Sequence, residues 1–131
     1  MTSCLSDIVV DSREPVTLAR WWAETLGKFV LRHSEEGWVA IGPWDSESDR
    51  PDENSYRSGP QPPAIVFVPV ADERVVKNRL LLDIWPVDRT RDQEVDALLS
   101  RGATLAEVGQ GEVPWKVLSD PEGNVFCVLH T

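Results

Sequence analysis

The stretch VVDSREPVTLARWWAETLG, Val9 to Gly27, packs the end of a strand, a helix and a helix stop into nineteen residues. Pro15 suits a first helical turn, where its missing N–H would have no intrahelical partner anyway, and Leu18, Trp22 and Leu26 recur at helical spacing. A helix is therefore expected over Pro15–Leu26, with Gly27 as its stop. Working outward, Leu5–Val10 reads as the strand before it. Lys28–Arg32 and Trp38–Ile41 read as two strands about a polar turn, and Ala64–Val70 as a β-branched strand.

The same order restarts further on. Arg79–Trp85 reads as a strand and Arg91–Arg101 as a helix with Val95, Leu98 and Leu99 on one face, stopped by Gly102. Thr104–Val108, Trp115–Leu118 and Val125–Leu129 follow as strands. Ile8 to Gly27 spans 19 positions and Ile84 to Gly102 spans 18, so strand, helix and stop recur at nearly equal spacing. The expected architecture is α+β, two tandem β-α-β-β-β modules over about residues 1–70 and 77–131, matched by order rather than by residue identity. The copies differ before their last strands. The first has the polar, acidic, Pro-rich PWDSESDRPDENSYRSGPQPP (Pro43 to Pro63), a length that suggests either a functional lid or disorder. The second has the short turn Asp120-Pro121-Glu122-Gly123-Asn124.

At 131 residues, with 41% hydrophobic and 27% charged side chains, the chain has the size and composition of one globular domain. Its net charge of −9, with no cluster of Lys and Arg, argues against nucleic acid and anionic membrane as partners. The amino-terminal stretch lacks a basic, apolar leader and no run is long enough to span a bilayer, so a cytoplasmic protein is expected. Cys4 and Cys127 have no paired spacing and read as reduced thiols. Trp21 and Trp22 are about 100° apart on their helix, so one is expected on the sheet and the other at an interface.

Three segments carry a resemblance: KNRLLLDIWP (Lys77 to Pro86), RDQEVDALLSRGAT (Arg91 to Thr104) and WKVLSDPEGNVFCVL (Trp115 to Leu129). With VVDSREPVTLARWWAETLG, they resemble the glyoxalase-like branch of the vicinal oxygen chelate superfamily, which includes glyoxalase and bleomycin-resistance proteins. Glu14-Pro15 stands where that family has Asp-Pro. The resemblance implies a single glyoxalase-like domain over residues 1–131, a cupped mixed sheet with helices outside, commonly assembled as a homodimer. In metal-using members, His, Glu and Gln side chains on the first and last strands of each module hold a divalent metal.

Those four positions fall here on Asp7, Val68, Leu81 and Cys127. Val and Leu cannot ligate, and one carboxylate with one thiol would hold a metal weakly, so no metal and no other cofactor is expected. His33 and His130 read as an exposed hairpin residue and a terminal residue. Alternation places Asp83 and Trp85 on the Leu81 side of their strand. With Trp38 and Trp115 as further walls, the expected ligand-binding set is Asp7, Val68, Leu81, Asp83, Trp85, Cys127, Trp38 and Trp115, an apolar and aromatic cavity with few ionisable groups. Catalytic residues are not identifiable.

The reading favoured by these residues is a small-molecule binding or sequestering protein of glyoxalase or bleomycin-resistance type, with a cationic or aromatic ligand suggested by the acidic surface. The alternative is an enzyme of the superfamily, a lyase, isomerase or dioxygenase. The missing ligands count against a metal-dependent one, and a metal-free one would use Asp7 or Asp83 as general base. A structural role, with the cavity filled by its own Trp side chains, is the remaining option. A nucleophilic Cys127 has no base placed beside it.

Overall fold

The computed structural model describes residues 3–27, 29–44, 46, 49–72 and 75–130. The chain forms two compact units, Met1–Asp72 and Glu73–Thr131. In the first, the order is β1 (Asp7–Ser12), α1 (Pro15–Leu26), β2 (Val30–His33), β3 (Val39–Gly42), α2 (Glu53–Ser58) and β4 (Ala64–Pro69). The four strands lie in the sheet order β1-β4-β3-β2. β1 and β4 are parallel and the other two pairings antiparallel.

Register decides which side chains α1 covers. Ile8 and Val10 align with Ile65 and Phe67, which align in turn with Ile41 and Val39, so these six share one face. Ile41, Phe67 and Val39 are buried there, and α1, packed against β3 and β4, contributes buried Leu18, Ala19 and Trp22. Pro15 opens α1 as expected, and the Ser12 hydroxyl accepts the Glu14 N–H at 3.1 Å just before it. Gly27 ends it at φ 78°, a conformation that suits glycine. Trp21 and Trp22 are both buried, their rings edge to face at 5.0 Å. The expected division of one tryptophan to the sheet and one to an interface is corrected by this burial, since each ring covers part of the other.

The second unit runs β5 (Leu82–Ile84), α3 (Arg91–Ser100), β6 (Thr104–Leu105), β7 (Lys116–Ser119) and β8 (Val125–Val128), in sheet order β5-β8-β7-β6. Again the first strand pairs parallel with the last. Both units thus share the β-α-β-β-β order and the same strand arrangement, with α2 added before the last strand of the first, each an open mixed sheet, and the α+β reading holds. A capping box opens α3: the Thr90 hydroxyl accepts the Gln93 N–H and the Gln93 side chain accepts the Thr90 N–H.

Several strands are shorter or shifted. The first begins at Asp7 because pairing with β4 begins at Ala64, and the Ala64 N–H reaches back to Ser6. Lys28, expected to begin a strand, lies outside the described residues. The expected strand Arg79–Trp85 is regular only over Leu82–Ile84, because upstream the Asn78 side chain replaces the backbone ladder. The Pro43–Pro63 connection, apart from residues 45, 47 and 48, is described, and it contains α2. Asp52 caps that helix by accepting the Ser55 N–H at 2.9 Å, which also holds its carboxyl below the usual range.

The Asp120–Asn124 turn is built around one carboxylate. Asp120 is only 3% exposed, and its Oδ1 accepts the N–H groups of Glu122 and Asn124, each at 2.9 Å. Removing it strands both donors. Asp120→Ala is expected to lower unfolding stability in urea by about 2–4 kcal/mol, against about 1 kcal/mol for Asp120→Asn, which keeps an acceptor in place. Equal losses in the two variants would assign the effect to something other than these hydrogen bonds.

Candidate functional site

The face of each sheet opposite its helix carries the candidate residues. In the first unit, alternation places Asp7, Val9 and Asp11 of β1 beside Ala64, Val66 and Val68 of β4, then Ala40 and Gly42 of β3 and Arg32 of β2. Asp7 aligns with Ala64 and Val68 with Asp11, so Asp7 and Val68 share this face but stand four residues apart along it, ~13 Å. They do not form a pair.

A small cleft of about 20 Å³ opens on this face. Its floor is made of small residues, Ala40, Gly42 and Ala64, and Arg32 stands on one side. Trp44, Ser46 and Arg50 line it from the segment after β3. The Trp44 ring rests on Gly42: a Cβ added there would fall 1.8 Å from Trp44 Cζ3. Gly42 is therefore required by close approach of an aromatic ring. Asp7 sits next to this cleft through Arg50, whose guanidinium lies 3.9 Å from Asp7 Oδ1. At that distance the pair is Coulombic only, and Asp7 Oδ1 is buried with no hydrogen-bond partner. Trp38, from the expected set, lies under Arg32, with the guanidinium carbon 5.0 Å from the ring centroid.

In the second unit, Asp83, Cys127 and Val117 align across β5, β8 and β7. Cys127, 8% exposed, packs with Val117 and Val125 in a cluster that Leu81 and Ala106 adjoin. Leu81, Asp83 and Cys127 are thus brought together as the sequence implied. Burial raises the Cys127 pKa above its ordinary value, and the neighbouring Asp83, which shares a hydrogen bond with the thiol, raises it further, Lys77 acting weakly the other way. Trp85 is 62% exposed just beyond β5, and Trp115 37% exposed just before β7.

Asn78 positions this strand pair and was not singled out by the sequence. Its Oδ1 accepts the Val125 N–H at 2.7 Å, while its Nδ2 donates to Val125 O at 3.0 Å and Leu80 O at 2.7 Å. One amide thereby stands in for a strand residue. Arg32, Gly42, Trp44, Ser46 and Arg50 were also missed. A signal existed for Arg50: it and Arg57 are the two cations of Pro43–Pro63, and Arg57 is used in an exposed pair with Glu53.

The donor set does not fit a catalytic metal. Among the described residues, no group of three or more His, Cys, Asp or Glu could hold one. Val68 and Leu81 have no lone pairs to offer, Asp7 faces a guanidinium, and Cys127 is held toward its protonated form, whereas a metal needs the thiolate. His33 is exposed at the end of β2, and His130 is exposed beyond β8.

Residues 7–129 match the family profile described as "Glyoxalase-like domain". Among solved structures, a glyoxalase/bleomycin resistance protein/dioxygenase family enzyme from Burkholderia phytofirmans PsJN is similar at 20% identity and TM-score 0.63, covering 96% of this chain and 97% of that one. The fosfomycin resistance protein FosX from Mesorhizobium loti is similar at 12% identity and TM-score 0.59, covering 100% and 93%. A superfamily member from Sphaerobacter thermophilus DSM 20745 gives 15% and 0.59, covering 97% and 96%. Comparison with curated proteins finds no match.

Because Asp83 and burial both favour the neutral thiol, Cys127 should alkylate slowly with iodoacetamide near pH 8, more slowly than half-buried Cys4. Asp83→Asn should speed Cys127 alkylation several-fold and leave Cys4 unchanged, read peptide by peptide by mass spectrometry. An unchanged Cys127 rate would remove Asp83 from its control.

Proposed function

Because the chain belongs to the glyoxalase-like domain family over residues 7–129, we propose that it is a small-molecule-binding protein that works without a metal of its own. The two β-α-β-β-β units are read as one glyoxalase-like domain. The observation that carries the reading is the cleft on the open face of the first sheet. Ala40, Gly42 and Ala64 are small, and Trp44, seated on Gly42, supplies apolar area beside them. That is the composition of a small-ligand site, in which flat apolar surface gives affinity and a few polar groups give orientation.

The absence of metal-ligating chemistry at Val68 and Leu81 supports binding over the metal-assisted reactions of the superfamily. Fold does not choose between them, since structures of this fold include FosX, described as a resistance protein, and ChaP-H2, described as an oxidase. On this chain's residues, Leu81, Val125 and Cys127 of the second sheet form a further apolar cluster, with Asp83 beside it.

The reading is tested by metal content and thermal response together. After equilibration with Mn, Fe, Ni or Zn and dialysis, the protein should retain well under one equivalent, and its Tm should not move. A metal held natively at about 100 times its Kd would add about 2.7 kcal/mol and raise Tm measurably. One tightly held equivalent would overturn the metal-free reading. Turnover of a bound compound would move the protein from binder to enzyme.

A further inference from the structure

The open face of the second sheet ends in an apolar and aromatic row. The ladder runs on past the regular strands: the Leu129 N–H donates to Ile84 O, and the Ala106 N–H to Val117 O. Continuing the register in this way aligns Trp85, Leu129, Trp115 and Val108 across β5, β8, β7 and β6. Alternation places all four on the face of Asp83, Cys127 and Val117. Trp85 is 62% exposed, Trp115 37% and Val108 36%. Neither indole has a hydrogen-bond, ring or cation partner among the described residues.

We propose that this row binds a small organic ammonium ion, a quaternary or tertiary alkylammonium, between Trp85 and Trp115 and over Leu129. The site lies on the other sheet from the Trp44 cleft and does not depend on it.

Spacing argues for an alkylammonium. Trp85 and Trp115 stand two strand intervals apart, ~9.6 Å, and side chains on a strand project roughly perpendicular to the sheet. An ion midway is ~5 Å from each, inside the ~6 Å over which a ring face attracts a cation. A single flat ring could not touch both, since van der Waals contact at ~3.5–4 Å on each side spans only ~7–8 Å. The floor between them is Leu129 and the end of the row is Val108, which accept no hydrogen bonds from an N–H. An alkylated nitrogen, with apolar methyl groups and few or no N–H donors, suits those surroundings better than a strongly hydrated primary ammonium.

Asp83 supplies the counter-charge. It is exposed, one row inward on the strand that leads to Trp85, and it has no salt-bridge partner among the described residues. Its hydrogen bond with the Cys127 thiol occupies one of about four lone-pair positions. Lys77 acts on the same thiol, but its neighbour Asn78 is tied to Val125, at the other end of β8 from Leu129 and ~13 Å along the strand. The net charge of −9 draws cations toward the protein as a whole.

The test compares tetramethylammonium chloride with tert-butanol, a neutral probe of similar shape and size, at constant ionic strength. Binding is read from the indole ¹⁵N–H signals of Trp85 and Trp115, assigned with Trp85→Phe and Trp115→Phe. Tetramethylammonium should shift both signals, and tert-butanol should bind at least about tenfold more weakly. Trp85→Leu and Trp115→Leu should each weaken the ammonium about tenfold, and the Phe variants less, because a smaller ring still offers its face. Asp83→Asn should weaken the ammonium several-fold and leave the alcohol unchanged. The exposure of Trp85 makes its replacement a mild one for the fold, and retained dispersion of the remaining amide signals checks this.

tert-Butanol bound as tightly as tetramethylammonium, or a shift confined to one of the two indoles, would overturn the proposal. So would conversion of a dimer to a monomer by Trp85→Leu in sedimentation, since the row would then be a subunit contact. None of these outcomes bears on metal content or on the first-sheet cleft, so this site and the reading of that cleft fail separately.

Discussion

The parallel pairing of first and last strand in each unit is the constraint from which the candidate site follows. Because alternation along a strand has a period of two, aligning Val10 with Phe67 and Ile8 with Ile65 assigns every other side chain to the face that α1 does not cover. A slip of one residue in β4 would turn Ile65 and Phe67 away from the helix, and one in β1 would turn Asp7 and Asp11 against it. The apolar cost of exposing two large side chains, of order 3–6 kcal/mol, holds the register. Arg32, Ala40, Gly42 and Ala64 are therefore together on the open face as a consequence of core packing on the other face. In the second unit the same pairing aligns Asp83 with Cys127.

Local charge in this protein is set by topology and not by composition. Net charge describes the long-range field and solubility. What a ligand meets within a few ångströms is decided by which side chains the sheet and its connections bring to the cleft. The segment that reads as most acidic, Pro43–Pro63, contributes Arg50 to the cleft, while its Glu53 is spent in an exposed pair with Arg57 and its Asp52 in capping α2.

Much of the architecture was legible because it rests on local signals. Pro15 and Gly27 bracket α1 as read, and Gly102 follows α3 closely, since a missing N–H and a positive φ are properties of single residues. The association of Leu81, Asp83 and Cys127 was also legible, through alternation and family resemblance. What escaped was non-local or side-chain mediated. Asn78 shortens β5 by replacing backbone with an amide, which no periodicity reveals. Trp44 and Gly42 read as loop and strand end until the ring is seen resting on the Cα. The short helix α2 had a signal, Asp52 three residues before Ser55, that a Pro-rich acidic setting obscured.

The four positions that resemblance links to a metal are instructive for how they have been left. Replacing a ligand set by halves would strand charges, since a buried carboxylate or thiolate without its cation costs several kcal/mol. Here no position keeps a charge without a counter-charge or a neutral form. Val68 and Leu81 are apolar, so they carry no charge to compensate. Asp7 keeps its carboxylate at the start of β1, with the Ser6 hydroxyl donating to Oδ2 and the Arg50 guanidinium 3.9 Å from the otherwise unpartnered Oδ1. Cys127 keeps a sulfur among Val117, Val125 and Leu81, and its raised pKa means the neutral form is the one that packs there. By linkage, that preference favours the fold below the ordinary thiol pKa and fades as pH rises through the raised value. Val68, Leu81 and Cys127 are therefore each self-consistent without a cation, and Asp7 is the one position of the four that keeps a charge, set against the Arg50 guanidinium.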